Sequence, residues 1–221
     1  MHTAYDYSAY WERCWNEEDE DALFRWLDGW NRSASEEMEF LKSRGVKTVC
    51  DAACGFGAHT LAFASNGFEV SAFDISPKAA ALTREGLRKY GYGGVEVKTA
   101  DILDTGYADA SFDAAAAYAV LDHLTGADAR RALAELSRIT KPGGWILLSF
   151  DEAEEDDCLC PHELLSDGSM VYSDETPRSG LLFRPHDKGR IEELTAGYQL
   201  VRQDRNQKGD QIVLLHNETR P

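Results

Sequence analysis

The sequence predicts an α/β fold, a mostly parallel sheet of seven strands with helices on both of its faces. Between residues 46 and 150, short apolar runs alternate with stretches of helical periodicity, the pattern of consecutive βαβ units. Two more strand patterns follow near the end of the sequence. With 221 residues, 43% of them hydrophobic, the chain is long enough for one such domain and not obviously for two.

Turn and capping residues mark where these elements begin and end. Pro77 falls in the first turn of one helix, and Pro142, Gly143 and Gly144 stop another. An alanine-rich sequence indicates that the fourth strand is buried in a tight space. The predicted strands are residues 46–51, 68–73, 95–99, 112–118, 145–150, 198–202 and 211–216. The predicted helices are residues 59–65, 76–90, 127–140 and 187–195.

Two segments fall outside this alternation. Residues 1–45 are predicted to form an N-terminal helical segment, in which aromatic and apolar residues recur at helical spacing. The main domain takes residues 46–221, and residues 151–186 form an insertion after the fifth strand. Within the insertion, residues 170–173 and 181–184 have the pattern of a hairpin.

The charge of the chain limits its partners. Lys and Arg number 23 against 39 Asp and Glu, a formal net charge of −16. Such an acidic surface repels phosphate backbones and anionic headgroups, so we expect neither a nucleic acid nor a membrane as partner. No apolar run approaches the ~20 residues needed to span a bilayer, and the start of the chain has no signal-peptide pattern. Five cysteines in such a chain indicate reduced thiols, so we expect a cytoplasmic protein acting on a small molecule.

A glycine-rich turn from Asp51 to Gly57 follows the first predicted strand. An open parallel sheet binds its ligand outside the carboxyl ends of its strands. Gly55 and Gly57 permit a sharp turn and a close approach of the backbone to that ligand. A dinucleotide fingerprint needs a third glycine where Thr60 stands, and the Gly-Lys-Ser/Thr of a phosphate-binding loop is absent.

This turn resembles motif I of the class I S-adenosylmethionine-dependent methyltransferases, which holds the methionine end of the cofactor. Ala53 replaces the first glycine of that motif, so we expect a φ below zero at residue 53. Other segments resemble the family at the expected points of the strand order. They are Asp74-Ile75 after the second strand, Asp101-Ile102 after the third, Leu121-Asp122-His123-Leu124 after the fourth, and Lys141-Pro142-Gly143-Gly144 before the fifth.

The resemblance implies a Rossmann-like sheet with an antiparallel last strand, and S-adenosylmethionine as cofactor. In the family a carboxylate placed like Asp74 accepts the ribose hydroxyls, and one placed like Asp101 meets the adenine amino group. The cofactor-binding residues implied are Asp51, Ala53, Gly55, Gly57, Asp74, Ile75, Asp101, Ile102 and Ala117.

The predicted reaction is methyl transfer to an oxygen, nitrogen or sulfur of a small molecule. His123, just beyond the fourth strand, is the candidate catalytic residue, a general base needed only if the acceptor arrives protonated. A structural histidine is the alternative, and Asp122 and Tyr118 are weaker candidates. Two other functions stay open: a non-catalytic S-adenosylmethionine-binding module, and a nicotinamide-dependent oxidoreductase, against which Thr60 argues.

Both segments outside the alternation are candidate lids. Family members often fold an N-terminal aromatic helix over the cofactor, which makes residues 1–45 one candidate. The insertion is the other, with possible pocket residues Tyr172, Phe183, Arg184 and His186.

The insertion also contains residue types that bind metals. Cys158, Cys160 and His162 lie close together in the sequence, but no second ligand pair follows, so we expect no metal site. Contact of these thiols with a soft substrate is the alternative. Cys54 in the glycine-rich turn is expected to pack rather than to react.

Overall fold

A computed structural model describes residues 5–30, 32–153, 155–206 and 209–218, without the side chains of Glu155 and Cys158. A seven-stranded sheet has the order β3-β2-β1-β4-β5-β10-β9, and a second sheet has the order β6-β7-β8. The strands are β1 (Thr48–Ala52), β2 (Glu69–Asp74), β3 (Glu96–Thr99), β4 (Phe112–Tyr118), β5 (Thr140–Phe150), β6 (His162–Leu164), β7 (Met170–Tyr172), β8 (Leu182–Phe183), β9 (Gln199–Arg205) and β10 (Gln211–Asn217).

Helices surround the larger sheet, and several begin at the capping residues that the sequence offers. Ser35 and Ser76 accept backbone hydrogen bonds from Met38 and Ala79, as N-cap residues do. Pro77 follows Ser76 in the first helical turn. The helices are α1 (Tyr7–Glu17), α2 (Glu20–Gly29), α3 (Glu36–Ser43), α4 (Ala58–Ser65), α5 (Pro77–Lys89), α6 (Gly126–Ile139), α7 (Glu155–Leu159) and α8 (Lys188–Leu194).

The prediction of a Rossmann-like, mostly parallel sheet of seven strands is confirmed. β1 pairs with β2, and β2 with β3, in parallel register. β10 runs antiparallel to both β5 and β9, as the resemblance implies for the last strand. The alanines of β4 are almost fully buried, in agreement with the tight environment expected for that strand. No helix within the described ranges is long and apolar enough to cross a membrane.

The contacts divide the chain into two compact units. The first comprises Met1–Gly106 with Phe112–Ala114, so the N-terminal helices belong with β1, β2 and β3. Its core includes a cluster of Leu27, Leu61 and Leu87, joining α2, α4 and α5. The second unit comprises Tyr107–Ser111 with Ala115–Pro221.

The second unit shows where the sequence signals were incomplete. The predicted hairpin of the insertion exists as β7 and β8, but β6 adds a third strand that its short, non-alternating sequence does not reveal. β5 begins at Thr140 rather than at the predicted residue 145. The Asn217 amide donates to the carbonyls of Ser137 and Thr140, which holds the start of β5 against the end of α6.

Candidate functional site

The glycine-rich turn after β1 takes a left-handed backbone at three positions. Ala53, Gly55 and Gly57 have φ values of 56°, 57° and 91°. The prediction of a negative φ at Ala53 is therefore wrong. The Cys54 N–H donates to the Phe73 carbonyl at 2.9 Å, and this bond to β2 fixes the path of the turn more strongly than the alanine side chain resists it. A left-handed non-glycine residue costs about 1–2 kcal/mol.

Asp74 ends β2 and connects the turn to the next helix. One carboxyl oxygen accepts the Gly55 N–H and the other accepts the Ser76 N–H, both at 2.9 Å. Only 5% of the residue is exposed. Burial raises the pKa of its carboxyl above the ordinary value, and the backbone hydrogen bonds oppose that rise. The turn and the end of β2 are thus held together by one buried carboxyl group.

Asp51 lies at the base of the turn and is more enclosed than a binding role requires. It is 2% exposed and accepts the hydroxyl hydrogen of the fully buried Thr60 at 2.5 Å. Burial raises the pKa of Asp51 to about 7, and the Asp74 carboxylate adds to the rise. In the sequence, Thr60 argues only against a dinucleotide site, and no local pattern indicates its bond to Asp51, which joins the end of β1 to α4.

Asp101 and Ile102 follow β3 at the same edge. The carboxyl group of Asp101 accepts the Leu103 N–H at 2.8 Å, a local turn, and Ile102 is buried. The Ala100 N–H donates to the Asp74 carbonyl at 3.0 Å. The structure thus brings the ends of β1, β2 and β3 together as the sequence predicts, with Ile75 only partly exposed beside Asp74.

Helix α1 covers this part of the first unit. A Cβ added at Gly55 would lie 3.1 Å from Cζ2 of Trp15, and the rings of Trp15 and Phe56 are 6.0 Å apart. On the same helix, the Glu12 carboxylate accepts the Ser76 hydroxyl and, at 3.1 Å, the Lys78 N–H. Sequence reasoning missed Glu12, because its partners are more than 60 residues away and no local pattern indicates them.

Cys54 of the turn is suited to packing. Loss of surrounding water, followed by the nearby Asp51 and Asp74 carboxylates, raises the pKa of its thiol well above the ordinary value. A thiol that stays protonated is a poor nucleophile, which agrees with the packing role expected from the sequence.

In the second unit, His123 lies in a short 3-10 turn, Leu121–His123, that follows β4. Its Nδ1 is 3.1 Å from the Leu182 carbonyl oxygen. A carbonyl oxygen can only accept, so Nδ1 carries the hydrogen, and in the neutral ring Nε2 carries the lone pair. Ala117, on β4, is fully buried.

The segment from Cys158 to His162 contains a local hydrogen bond. Nδ1 of His162 lies 2.7 Å from the Cys160 carbonyl oxygen. Within the part of the chain that the structure describes, no group of three His, Cys, Asp or Glu residues could hold a metal ion. The Cys158 side chain lies outside the described residues.

Comparison with known proteins matches this geometry to a family. Residues 50–148, which include the turn, β2 and β4, match the family described as "Methyltransferase domain". The matched residues, just under half of the chain, are thus similar to the methyltransferase domain of the class I S-adenosylmethionine-dependent methyltransferase superfamily.

Two curated proteins are similar to the central region of this chain. A tRNA (carboxymethyluridine(34)-5-O)-methyltransferase from Arabidopsis thaliana is 34% identical over 125 residues, 54% of this chain and 27% of that protein. An O-methyltransferase from Penicillium expansum is 32% identical over 103 residues, 46% of this chain and 37% of that protein. The matches thus span less than two fifths of either relative.

A solved methyltransferase structure shares the fold over nearly the whole chain. It is the 1,6-didemethyltoxoflavin-N1-methyltransferase of Burkholderia thailandensis, with a TM-score of 0.70 and 19% identity, covering 99% of this chain and 92% of that one. That structure contains bound S-adenosylhomocysteine.

S-adenosylmethionine is the cofactor of this superfamily, and the residues of the first unit fit it. An ionised carboxylate offers about four acceptor positions, and the two N–H bonds of Asp74 leave others for ribose hydroxyls. Gly57 has no room for a side chain, since a Cβ there would lie 2.8 Å from Cγ2 of Thr83. Acidic and backbone groups at this edge suit a ligand that carries hydroxyl groups and positive charge.

Proposed function

We propose that this methyltransferase transfers the methyl group of S-adenosylmethionine to an oxygen, nitrogen or sulfur atom of a small molecule. The observation that carries the proposal is the buried Asp74 carboxyl group, bonded to the Gly55 N–H of the glycine-rich turn. A pure turn aspartate would serve the same N–H groups from the surface. Burying it is worthwhile where a polar ligand completes its hydrogen bonds.

Bound S-adenosylmethionine supplies an electrophilic methyl group on a sulfonium and leaves as S-adenosylhomocysteine once the acceptor's lone pair has displaced the sulfur. The chain's main contribution is to hold the reactants in line, an effect that reaches ~7–11 kcal/mol in oriented reactions. In the proposed assignment Asp74 accepts the ribose hydroxyls beside Ile75, and Asp101 and Ile102 receive the adenine. The turn residues Asp51, Ala53, Gly55 and Gly57 shape the methionine end.

His123 is the proposed general base for an acceptor that arrives protonated. Its Nδ1–H is held by the Leu182 carbonyl, so its Nε2 has the lone pair that can take the acceptor's proton. The proton lost by the acceptor would end on Nε2 and pass to solvent when the products leave.

A small molecule is the acceptor class that the charge of the chain favours. The formal net charge of −16 opposes close approach of a polyanion such as tRNA. The Penicillium relative and the Burkholderia neighbour are named as an O-methyltransferase and as the methyltransferase of a small heterocycle, respectively. The Arabidopsis relative is named as a tRNA methyltransferase, which makes tRNA the alternative to be tested.

The N-terminal helical segment is proposed to act as the lid of the cofactor site, because Trp15 of α1 packs at Gly55. Among the cysteines whose side chains the structure describes, Cys14, Cys50, Cys54 and Cys160 are free thiols. This supports the proposal that the protein works in the reducing cytoplasm.

Titration calorimetry with S-adenosylhomocysteine tests the cofactor site. Asp74→Asn keeps the size of the side chain but removes its charge, so we expect affinity to fall about tenfold to a hundredfold. The matched control is Asp104→Asn, an exposed carboxylate on the loop after Asp101. Absence of binding by the wild-type protein, or equal binding by Asp74→Asn, would contradict the proposal.

A second experiment identifies the acceptor class. Release of S-adenosylhomocysteine is measured with pools of neutral, cationic and anionic metabolites and, separately, with total tRNA. Turnover with metabolites alone supports the proposal, and turnover with tRNA alone replaces it. Tight cofactor binding without turnover in any pool would favour the non-catalytic binding module.

A further inference from the structure

A buried chain of three polar side chains lies in the second unit, apart from the cofactor residues. Nη1 of Arg184 is 3.0 Å from Nε2 of His186, and Nδ1 of His186 is 3.2 Å from Oδ1 of Asp122. The Asp122 and His186 side chains are both 0% exposed, and Arg184 is 7% exposed. Charged and polar groups so deeply buried are unusual unless they pair with one another.

The protonation of His186 follows from its neighbour. A guanidinium group can only donate, so Nε2 of His186 accepts and its hydrogen is on Nδ1, facing Asp122. The neutral imidazole thus stands between a cation and a carboxylate. Nδ1 and Oδ1 lack the alignment of a hydrogen bond and have no other partner among the described residues.

Asp122 connects the three buried side chains to the turn that carries His123. Its second carboxyl oxygen accepts the Asp151 N–H at 2.8 Å, and its carbonyl accepts the Arg184 N–H at 2.7 Å. One residue along, Nδ1 of His123 donates to the Leu182 carbonyl. The segment from β8 to residue 186 therefore contacts the 3-10 turn through three residues. Arg184 bonds the backbone of the turn, while Leu182 and His186 contact the side chains of His123 and Asp122.

We propose that His186 and Arg184 are positioning residues that act through Asp122 to hold His123 as its Nδ1–H tautomer, with the lone pair on Nε2. Holding the β8 segment against the turn keeps the Leu182 carbonyl within reach of His123. Without the contact between His186 and Asp122, the Leu182 carbonyl and the His123 imidazole separate. Nε2 of His123 then carries the hydrogen in a larger fraction of molecules. This effect on the His123 tautomer matters for methyl transfer only if His123 is the proposed base. The effect itself does not depend on that role.

Nitrogen-15 spectra of histidine-labelled protein measure the tautomer directly, without cofactor or acceptor, and His123→Gln assigns the signals. We expect the Nδ1–H form of His123 to dominate in the wild type. In His186→Gln the ratio of the Nδ1–H form to the Nε2–H form of His123 should fall about fivefold. This is the effect of losing one ordinary hydrogen bond, here the bond from His123 to the Leu182 carbonyl. The matched control is His162→Gln, another insertion histidine that bonds a backbone carbonyl, which should leave the His123 ratio unchanged.

A double-mutant cycle tests whether the effect passes through Asp122. Asp122→Asn alone should lower the ratio about fivefold, and the double variant with His186→Gln should lower it no further. An unchanged ratio in His186→Gln, or independent effects that multiply to about twenty-five-fold, would overturn the proposal. If His186→Gln does not fold, Arg184→Lys, which keeps one donor for His186, should give a smaller shift in the same direction, and no shift would overturn the proposal. Calorimetry with S-adenosylhomocysteine is run on the same samples, so a failed tautomer test and a failed cofactor assignment are told apart.

Discussion

Thr60 donates its hydroxyl hydrogen to Asp51 at 2.5 Å, and neither residue has appreciable contact with solvent. The pair joins α4 to the end of β1 directly beneath the glycine-rich turn. Burial, with the Asp74 carboxylate nearby as a smaller cause, raises the pKa of Asp51 to about 7. The raised pKa of Asp51 makes the stability of the protein depend on pH.

The stability of the protein should fall as Asp51 ionises. Its pKa is about 7 in the folded protein against an ordinary 3.8, so between these values the folded state binds the extra proton. Stability is therefore greatest at the acid end of that window and is lost as pH rises towards 7, by about 2–3 kcal/mol between pH ~5 and pH ~8. Asp51→Asn should remove this part of the slope. Urea unfolding of both proteins across this range checks it, and parallel stability curves would contradict it.

Ala53→Gly should stabilise the protein. Alanine at a φ of 56° is strained, and glycine removes that strain while adding freedom to the unfolded chain. We expect a net gain of about 0.5–1 kcal/mol in the free energy of unfolding. Ala110→Gly, at a φ of 54° outside the turn, is the control: it should gain as much stability without changing the affinity for S-adenosylhomocysteine. A loss of stability in Ala53→Gly would mean that the turn tolerates alanine without strain.

Local signals predicted most of the larger sheet and the strand ends at which Asp74 and Asp101 lie. Strand and helix patterns placed β1 to β5, and motif spacing placed Asp74 and Asp101 at neighbouring strand ends. The sign of φ at Ala53 was predicted wrongly because a hydrogen bond between the turn and β2 determines it. Local signals also missed the contact of Ser76 with Glu12 and that of Asp122 with His186. In each of these pairs the two residues are 64 positions apart in the sequence. Contacts at such separations depend on packing, which residue patterns do not encode.

Gly57→Ala should disrupt the turn more than its backbone angle alone explains. A side chain there meets both a φ of 91° and Cγ2 of Thr83 at 2.8 Å. We expect a loss of about 2–4 kcal/mol in the free energy of unfolding. Gly91→Ala is the control, since Gly91 has a φ of 86° but nothing within 4 Å, and should lose only about 1 kcal/mol. Thermal or urea unfolding measures both, and equal losses would show that Thr83 moves aside.

Trp15→Ala should loosen the proposed lid. The Trp15 ring packs against Gly55 and Phe56, so its removal opens the glycine-rich turn to water and leaves α1 attached through Glu12. Opening a cover speeds release more than it slows binding, because contacts that form after encounter act mainly on dissociation. We expect S-adenosylhomocysteine to dissociate about tenfold faster in stopped-flow displacement, with little change in the association rate. Trp11→Ala removes the same residue type from the same helix, where the ring packs on Tyr10, and should leave dissociation unchanged. Equal dissociation rates in wild type and Trp15→Ala would place the lid elsewhere in the chain.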